Sequence, residues 1–245
     1  MKTAITIQAR MTSTRLPGKV MLPIQGKPTL ELMVERLRRV RGVDGIILCT
    51  TVNDSDDVLA ALAARLGIAC YRGSENDVLS RVLEAAQRNS VETIVETTGD
   101  CPLIDPGIIE SVIAAYRENP IDYCSNVLER CYPIGMDTQV FSTRVLADVA
   151  RRTDDPEDHE HVSVFIYRNP QIYSLRHVPA SPFRHRPKLR LTLDTPEDLE
   201  LIARIYDSLY PGKPDFGLDD ILALLDRHPE WLAINSGVEH RWLKR

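Results

Sequence analysis

Residues 3–19, TAITIQARMTSTRLPGK, join an apolar run to a polar, cation-rich segment. The first part, TAITIQA (3–9), is typical of a buried strand. The part that follows it contains three cations, three hydroxyl side chains and a Pro-Gly pair. Composition leaves two interpretations of this second part open. It is either a solvated loop or a loop that holds the phosphates of a nucleotide.

Further apolar runs alternate with helical periodicity as far as residue 125. This pattern predicts strands at 45–51, 68–71, 93–98 and 121–125, and helices at 30–40, 54–67, 76–89 and 105–119. Strands joined by crossover helices predict right-handed βαβ units and a mostly parallel sheet with helices on both faces. We therefore predict an α/β fold in which a single domain covers residues 1–245, with a small insertion around 126–150.

The second half of the chain has a different rhythm. Residues 132–142 are typical of a loop that runs into an isolated strand, and 189–193 of a strand followed by a sharp turn. Helical periodicity predicts helices at 144–152, 156–169, 196–210 and 217–231. Asp105 and Thr195 are suitable N-caps, since each is followed by a proline at the first helical position.

Charge and cysteine content exclude several classes of protein. The net charge of −5 gives no general support to a nucleic-acid or membrane-surface role. Residues 1–41, however, hold nine Lys/Arg against two Glu, which indicates a small anionic ligand. Five cysteines without a C-x-x-C pair favour a reducing cytoplasm over a disulfide framework. No signal peptide and no membrane span is predicted.

The position of the 10–19 loop favours the phosphate interpretation. A doubly wound sheet binds ligands at the carboxyl ends of its strands. The loop matches neither G-x-G-x-x-G nor the Walker pattern. Gly18 would let the backbone approach a ligand, and Ser13 and Thr14 could donate hydrogen bonds to phosphate oxygens. The positive charge would come from Arg10, Arg15 and Lys19.

Motifs along nearly the whole chain resemble the cytidylyltransferase family that activates acidic sugars. The opening IQARMTSTRLPGKVMLPIQGKPTLE is followed in order by RGSENDVLSR (72–81), TGDCPLIDP (98–106), YPIGMDTQVF (132–141), EHVSVFIYRNP (160–170) and LRLTLDTPEDLELI (189–202). The resemblance is greatest to the branch of spore-coat polysaccharide biosynthesis and acylneuraminate cytidylyltransferase-like proteins. It implies a Rossmann-like nucleotidyltransferase fold.

The resemblance also implies a reaction. CMP would pass from CTP to a small anionic acceptor with release of pyrophosphate, and Mg²⁺ would be the cofactor. The acceptor would be an acidic sugar, such as a nonulosonic or 3-deoxy-ulosonic acid, for a surface polysaccharide. The family further implies a homodimer formed through 126–150. A uridylyl- or guanylyltransferase, a cytidylyltransferase for a phosphorylated small molecule, and a catalytically silent nucleotide-binding module are the alternatives.

Two aspartates follow predicted strands and suit a magnesium ion. Asp100 lies in TTGDCPLIDP and Asp194 in LTLDTPEDL. Carboxylate oxygens are the ligands that Mg²⁺ prefers, although turn composition around Asp100 and helix capping beside Asp194 also explain these motifs. The resemblance assigns both residues to the metal site. Cys101 has no identifiable base, and the implied reaction needs no covalent step.

The resemblance gives further residues a role in binding or catalysis. The catalytic set it implies is Arg10, Arg15, Lys19 and Asp100. The nucleotide-binding set is Ala9, Arg10, Ser13, Thr14, Gly18, Lys19, Arg72, Gly73, Ser74, Asp77, Arg81 and Thr98. The alternative for 72–81 is a helix start, capped by Ser74 or Asn76, with Asp77 in its first turn.

Asp137, Gln139 and His161 are the predicted contacts of the acceptor. Gln139 occupies a position where the family often has Glu. If it faces the acceptor, one negative charge is absent from that pocket, and a more anionic acceptor would be tolerated. The alternative places Gln139 at a dimer interface or on the solvent side of its strand. His159 and His161 are unsuited to a zinc pair, because residues i and i+2 diverge on a helix.

Overall fold

A seven-stranded sheet forms the centre of the computed structural model, which describes residues 2–239. Its strands lie in the order β5-β4-β1-β6-β8-β7-β9, and β2 and β3 form a separate hairpin. The strands are β1 (Thr3–Gln8), β2 (Pro23–Ile24), β3 (Lys27–Pro28), β4 (Gly45–Thr51), β5 (Ala69–Gly73), β6 (Thr93–Thr98), β7 (Tyr123–Ser125), β8 (Gln139–Ser142) and β9 (Leu175–His177).

Helices cover both faces of this sheet, as predicted. They are α1 (Thr29–Leu37), α2 (Asp57–Leu66), α3 (Val78–Arg88), α4 (Pro106–Glu118), α5 (Thr143–Arg152), α6 (Pro156–Glu160), α7 (Val164–Arg168), α8 (Pro196–Leu209) and α9 (Leu218–Arg227). Apolar residues of α1, α2 and α4 pack on one face, and those of α3, α5 and α7 on the other. A third apolar cluster packs α8 and α9 against the start of α4 and the loops around residues 132 and 191. No helix within residues 2–239 is both long enough and apolar enough to cross a membrane.

Successive side chains of β1 point to opposite faces of the sheet. Ile5 and Ile7 face α1 and α4, whereas Ala4 belongs to the opposite cluster. Strand β1 is parallel to both of its neighbours, β4 and β6. The carboxyl ends of these three strands therefore meet at one edge, where the predicted phosphate loop begins.

The segment 126–150 is built into the main sheet. Strand β8 lies between β6 and β7 and is antiparallel to both, so the prediction of an isolated strand at this place was wrong. The reason is that β8 returns beside β6 only after the chain has already formed β7. Sequence order gives no sign of such an exchange of neighbours.

The predicted strand at 189–193 is extended but forms a single bridge, between Ile134 and Arg190. Its backbone instead joins two loops, because Leu191 N–H donates to the Ile134 carbonyl at 2.8 Å and Leu193 N–H to that of Asp100 at 2.7 Å. Gly135 permits this approach. Its φ is +102°, and a Cβ there would lie 2.7 Å from the Leu191 carbonyl carbon.

The helix predicted over 156–169 is divided into α6 and α7. The break lies at Val162, whose φ of 49° is left-handed and cannot continue a right-handed helix. The predicted caps before two other helices are confirmed. Asp105 accepts from Ile108 N–H, and Thr195 forms a capping box with Asp198.

Candidate active site

A cavity of about 570 Å³ lies at the carboxyl ends of β1 and β6, beneath the loop that follows β1. Parallel sheets bind ligands at this edge. The lining residues come from the loop, the start of α3, the end of β6, the α6 region and the segment before α8. They are Gln8, Ala9, Arg10, Thr12, Ser13, Thr14, Arg15, Lys19, Val20, Glu75, Asn76, Val78, Arg81, Thr98, Asp100, Pro156, Glu160, His161 and Asp194.

The loop is fixed in shape by a buried carboxylate and a glycine. Asp56 is fully buried and accepts a hydrogen bond from Met11 N–H at 2.8 Å, while its other oxygen accepts from Thr50 and Thr51. Gly18 has a φ of +67°, a conformation that favours glycine. Its N–H donates to the Met11 carbonyl at 3.0 Å. The loop is therefore anchored to the sheet at Met11 and closed on itself at Gly18.

Lys19 joins the two predicted metal ligands. Its Nζ lies 3.0 Å from Asp100 Oδ2 and 2.7 Å from Asp194 Oδ1. Burial lowers the pKa of Lys19, but the charges of Asp100 and Asp194 outweigh it and raise the pKa above its usual range. The ammonium therefore stays charged, and two carboxylates separated by 94 residues converge on one positive centre.

Asp194 is held from behind by a buried network. Arg190 Nη2 donates to Asp194 Oδ2 at 2.6 Å, and Arg190 Nε donates to Asp198 Oδ1 at 2.8 Å. Asn235 Nδ2 donates to the same Asp198 oxygen at 2.9 Å. Burial acts to raise the pKa of Asp194, but Lys19, Arg190 and Arg15 lower it to about 2. Asp194 is thus a permanent carboxylate whose position is set by the core.

Positive and negative side chains line the cavity in equal numbers. Four cations, Arg10, Arg15, Lys19 and Arg81, are matched by four carboxylates, Glu75, Asp100, Glu160 and Asp194. Two of the cations are engaged by Asp194, at 2.9 Å for Arg15 and 2.7 Å for Lys19. A triphosphate would therefore enter a site without surplus positive charge.

The residues present fit a magnesium ion. Asp100 and Asp194 provide hard oxygen atoms that already surround one cation, and Mg²⁺ is commonly held by one or two carboxylates together with substrate phosphates. A divalent ion would also supply the positive charge that the lining side chains lack. Residues 2–239 hold no group of three or more His, Cys, Asp or Glu side chains placed to bind a metal.

Eleven of the predicted site residues do line the cavity. Arg81 is a buried residue of α3, and its guanidinium donates to the Ser74 carbonyl. His161, the C-cap of α6, also lines the cavity. The eleven are Ala9, Arg10, Ser13, Thr14, Arg15, Lys19, Arg81, Thr98, Asp100, His161 and Asp194.

The structure places Arg72 away from the cavity. Its guanidinium donates to the carbonyls of Thr51 and Asn53 and to Asp57, each within 2.8 Å. The reason is that Arg72 lies on β5, two strands away from β1. Its side chain there binds the carboxyl end of the neighbouring strand β4. Gly73, Ser74 and Gly18 also lie outside the lining.

Asp77 has a capping role in the structure. It is the N-cap of α3 and accepts from Ser80 N–H at 2.9 Å, so the alternative caps Ser74 and Asn76 were wrong. His159 Nδ1 lies 2.8 Å from Asp77, and its Nε2 lies 2.9 Å from the Thr153 carbonyl. His159 therefore ties α6 to α3.

Burial raises the pKa of the Cys101 thiol well above its usual value, which disfavours a thiolate nucleophile.

Asp137 and Gln139 also lie outside the cavity lining. Asp137 accepts from the two terminal nitrogens of the Arg130 guanidinium, from Nη1 at 2.5 Å and from Nη2 at 3.0 Å. Gln139 lies directly opposite Glu96 across the β6–β8 ladder. A glutamate at 139 would face another carboxyl, which is a physical reason for the neutral side chain. Contact of either residue with an acceptor stays a prediction.

Gln139→Glu should destabilise the protein more at pH 8 than at pH 5.5, by about 1 kcal/mol. Burial raises the pKa of Glu96 to about 7. Below that pH the native Glu96 is neutral, whereas above it two carboxylates would face each other. Urea unfolding at both pH values measures the difference. The same substitution in a Glu96→Gln background is the control, and an equal penalty at the two pH values would contradict the pairing.

Sequence reasoning gave no site role to five polar residues of the cavity wall, namely Gln8, Thr12, Glu75, Asn76 and Glu160. Glu75 accepts from Thr12 Oγ1 and Asn53 Nδ2, both at 2.7 Å, and so links the phosphate loop to the start of α3. Gln8 ends β1 and contacts Glu96. The position of Gln8 beside the loop was a usable signal. The role of Glu75 was not readable, because its partners are 22 and 63 residues away.

Comparison with known proteins gives a consistent result. Residues 4–213 match the Cytidylyltransferase family. The chain is 32% identical to the spore coat polysaccharide biosynthesis protein SpsF of Bacillus subtilis, over 91% of this chain and 94% of that protein. It is 26% identical to a 3-deoxy-manno-octulosonate cytidylyltransferase of Geobacter sulfurreducens, over 80% of this chain and 96% of that one.

Solved structures agree with the sequence relatives. A cytidylyltransferase from Leptospira borgpetersenii superposes with a TM-score of 0.90 at 31% identity, covering 99% of this chain and 100% of that one. A CMP:2-keto-3-deoxy-manno-octonic acid synthetase complexed with CTP has a TM-score of 0.62 at 21% identity, covering 84% and 99%. This second likeness shows the shared Rossmann-like nucleotidyltransferase fold. With the family match over residues 4–213, the chain belongs to the cytidylyltransferase family and is a nucleotidyltransferase.

Proposed function

We propose that this enzyme transfers CMP from CTP to an acidic sugar, such as a 3-deoxy-ulosonic or nonulosonic acid, and releases pyrophosphate. The observation that carries the proposal is the meeting of Lys19, Asp100 and Asp194 beneath the cation-bearing loop. The names of the relatives support the acceptor class, since they refer to 3-deoxy-manno-octulosonate and to a spore coat polysaccharide. The product would serve the assembly of a surface polysaccharide.

The loop residues would bind and neutralise the leaving pyrophosphate. Arg10, Arg15 and Lys19 are the loop cations, and Ser13 and Thr14 supply hydroxyl donors beside them. Arg15 and Lys19 would exchange their contacts with Asp194 for phosphate oxygens when the nucleotide enters. Charge-assisted contacts of this kind stabilise a transition state in which negative charge moves onto the leaving group.

Asp100 and Asp194 would hold Mg²⁺ against the phosphates. When bound, the ion would polarise the attacked phosphoryl group and neutralise charge. Arg190 keeps Asp194 ionised and oriented, and Thr98 Oγ1 donates to Asp100 Oδ1 at 2.6 Å. His161 and Thr98 also line the cavity and would face the acceptor, whose hydroxyl attacks the α-phosphorus.

A pyrophosphate-release screen tests this proposal. It combines ATP, CTP, GTP and UTP with 3-deoxy-manno-octulosonate, its 8-amino-8-deoxy analogue, a nonulosonic acid and phosphorylated polyols. We expect CTP to be preferred with an acidic sugar, because a site that pairs with the cytosine edge leaves polar groups unsatisfied with uracil. Preference for a phosphorylated polyol would contradict the acceptor, and preference for UTP or GTP would contradict the nucleotide.

A homodimer and a cytoplasmic location are further proposals that rest on the family resemblance. The segment 126–150 contains β8 and most of α5, and the dimer interface would lie on this part of the domain. Light scattering after size-exclusion chromatography measures the mass of the particle. A mass of one 27.7 kDa chain across micromolar concentrations would contradict the dimer.

A further inference from the structure

Gln8 is a polar side chain of the cavity wall that has no role in the phosphate loop. It is the last residue of β1, it is partly exposed, and it lines the cavity next to Arg10. Its amide nitrogen donates to Glu96 Oε1 at 2.7 Å. Thr6 and Gln8 alternate with Ile5 and Ile7, so Gln8 and Glu96 share the sheet face that α3, α5 and α7 cover.

Glu96 is placed to control the orientation of this amide. It is 4% exposed, in the middle of the inner strand β6, and it does not line the cavity. An ionised carboxylate only accepts hydrogen bonds, so it binds the amide nitrogen of Gln8 and not the amide oxygen. The oxygen at the other end of the amide is then left to accept a hydrogen bond from a bound molecule.

The direction of the amide indicates which substrate it would meet. Glu96 lies on β6, so the Gln8 side chain leans toward β6 and away from β4 and β5. Gln8 is paired with Thr98 in the β1–β6 ladder, and both residues line the cavity. Ser163, two residues beyond His161, acts to lower the pKa of Glu96 against the effect of burial, which places this segment near Glu96. Gln8 therefore lies beside Thr98, which the proposed function assigns to the acceptor.

From this geometry we propose that Gln8 accepts a hydrogen bond from a hydroxyl of the sugar acceptor, and that Glu96 is the positioning residue that fixes the Gln8 amide for this contact. The inference rests on the proposed function, since it assigns a specificity contact within the same site. It predicts that loss of either residue weakens the acceptor and spares the nucleotide.

The test measures the KM values of CTP and of 3-deoxy-manno-octulosonate at pH 8, where Glu96 is ionised. Gln8→Ala and Glu96→Gln should each raise the KM of the sugar about tenfold, the usual value of one hydrogen bond, and change the KM of CTP less than twofold. Thr6→Val is the matched control. Thr6 is buried opposite Glu96 on β1 and does not line the cavity.

A double-variant cycle separates positioning from general support of the fold. If Glu96 acts through Gln8, the Gln8→Ala, Glu96→Gln enzyme should have the same sugar KM as Gln8→Ala alone. Multiplied effects, or equal rises in both KM values, would overturn the inference. Absence of CTP turnover in the unaltered enzyme would instead overturn the proposed function, so the two failures are distinguishable.

Discussion

Lys19→Met should lower kcat/KM for CTP by at least about a hundredfold while the protein still folds. The Lys19 side chain is 12% exposed, and its ammonium is the charge on which Asp100 and Asp194 converge. Methionine retains the length of the side chain and removes the charge. The leaving pyrophosphate would lose a charge-assisted contact, and the two carboxylates would face each other without a cation between them. Steady-state kinetics and thermal unfolding measure the two effects.

Lys27→Met is the matched control for this substitution. Lys27 also forms an ion pair, with Glu35 at 2.6 Å, but it lies outside the cavity. Its loss should leave kcat/KM within about twofold, because a partly exposed pair contributes little beyond local stability. Arg15→Ala should act in the same direction as Lys19→Met and less strongly, since Arg15 contacts Asp194 alone and is 27% exposed. Near-normal kinetics in both loop variants would return the loop to the solvated interpretation.

Asp100→Asn should reduce activity about a hundredfold and raise the Mg²⁺ concentration needed for half-maximal rate. An amide has nearly the shape of the carboxyl group but is neutral, so the contact with Thr98 can persist while the electrostatic attraction for a divalent ion is lost. EDTA should abolish the activity of the unaltered enzyme, and added Mg²⁺ should restore it. Titration of the initial rate with Mg²⁺ measures both effects.

Asp219→Asn serves as the control for Asp100→Asn. Asp219 pairs with Arg184 at 2.7 Å on the surface, so its loss removes an equivalent charge far from the cavity lining. Asp194→Asn should also raise the Mg²⁺ requirement, with an added loss of stability because Arg190 would lose a partner in its buried network. Full activity in EDTA would end the proposal of two metal carboxylates.

Predictions that depend on neighbouring residues in the chain were the most successful. Asp105 and Thr195 cap α4 and α8, each with a proline at the first helical position, because a cap bonds within three residues of itself. The alternation of strands and helices through residue 125 was likewise readable, since hydrophobic periodicity is a local property. The prediction of one continuous helix over 156–169 was wrong at a single residue, Val162. Its backbone is left-handed, and a valine at this position gives no sign of that conformation.

Side-chain partners across the sheet were not readable. Arg72 and Arg81 lie in one motif, yet Arg72 closes the end of β4 while Arg81 lines the cavity. Gln139 and Glu96 are opposite each other only because β8 enters the sheet between β6 and β7. Such pairs are fixed by strand order and register, and these depend on the packing of the whole domain.

The cation-bearing loop after the first buried strand, and the extended segments before Asp100 and Asp194, could be read from the sequence, because strands and turns are encoded by residues close together in the chain. The contacts of Lys19 with Asp100, 81 residues away, and with Asp194, 175 residues away, depend on how the whole domain folds. The parallel β1 and β6 bring the first pair to one edge of the sheet, and the bridge at Arg190 brings the second. The physical reason is that an ion pair needs atoms within about 4 Å, and across such separations in the chain only the packed core holds them there.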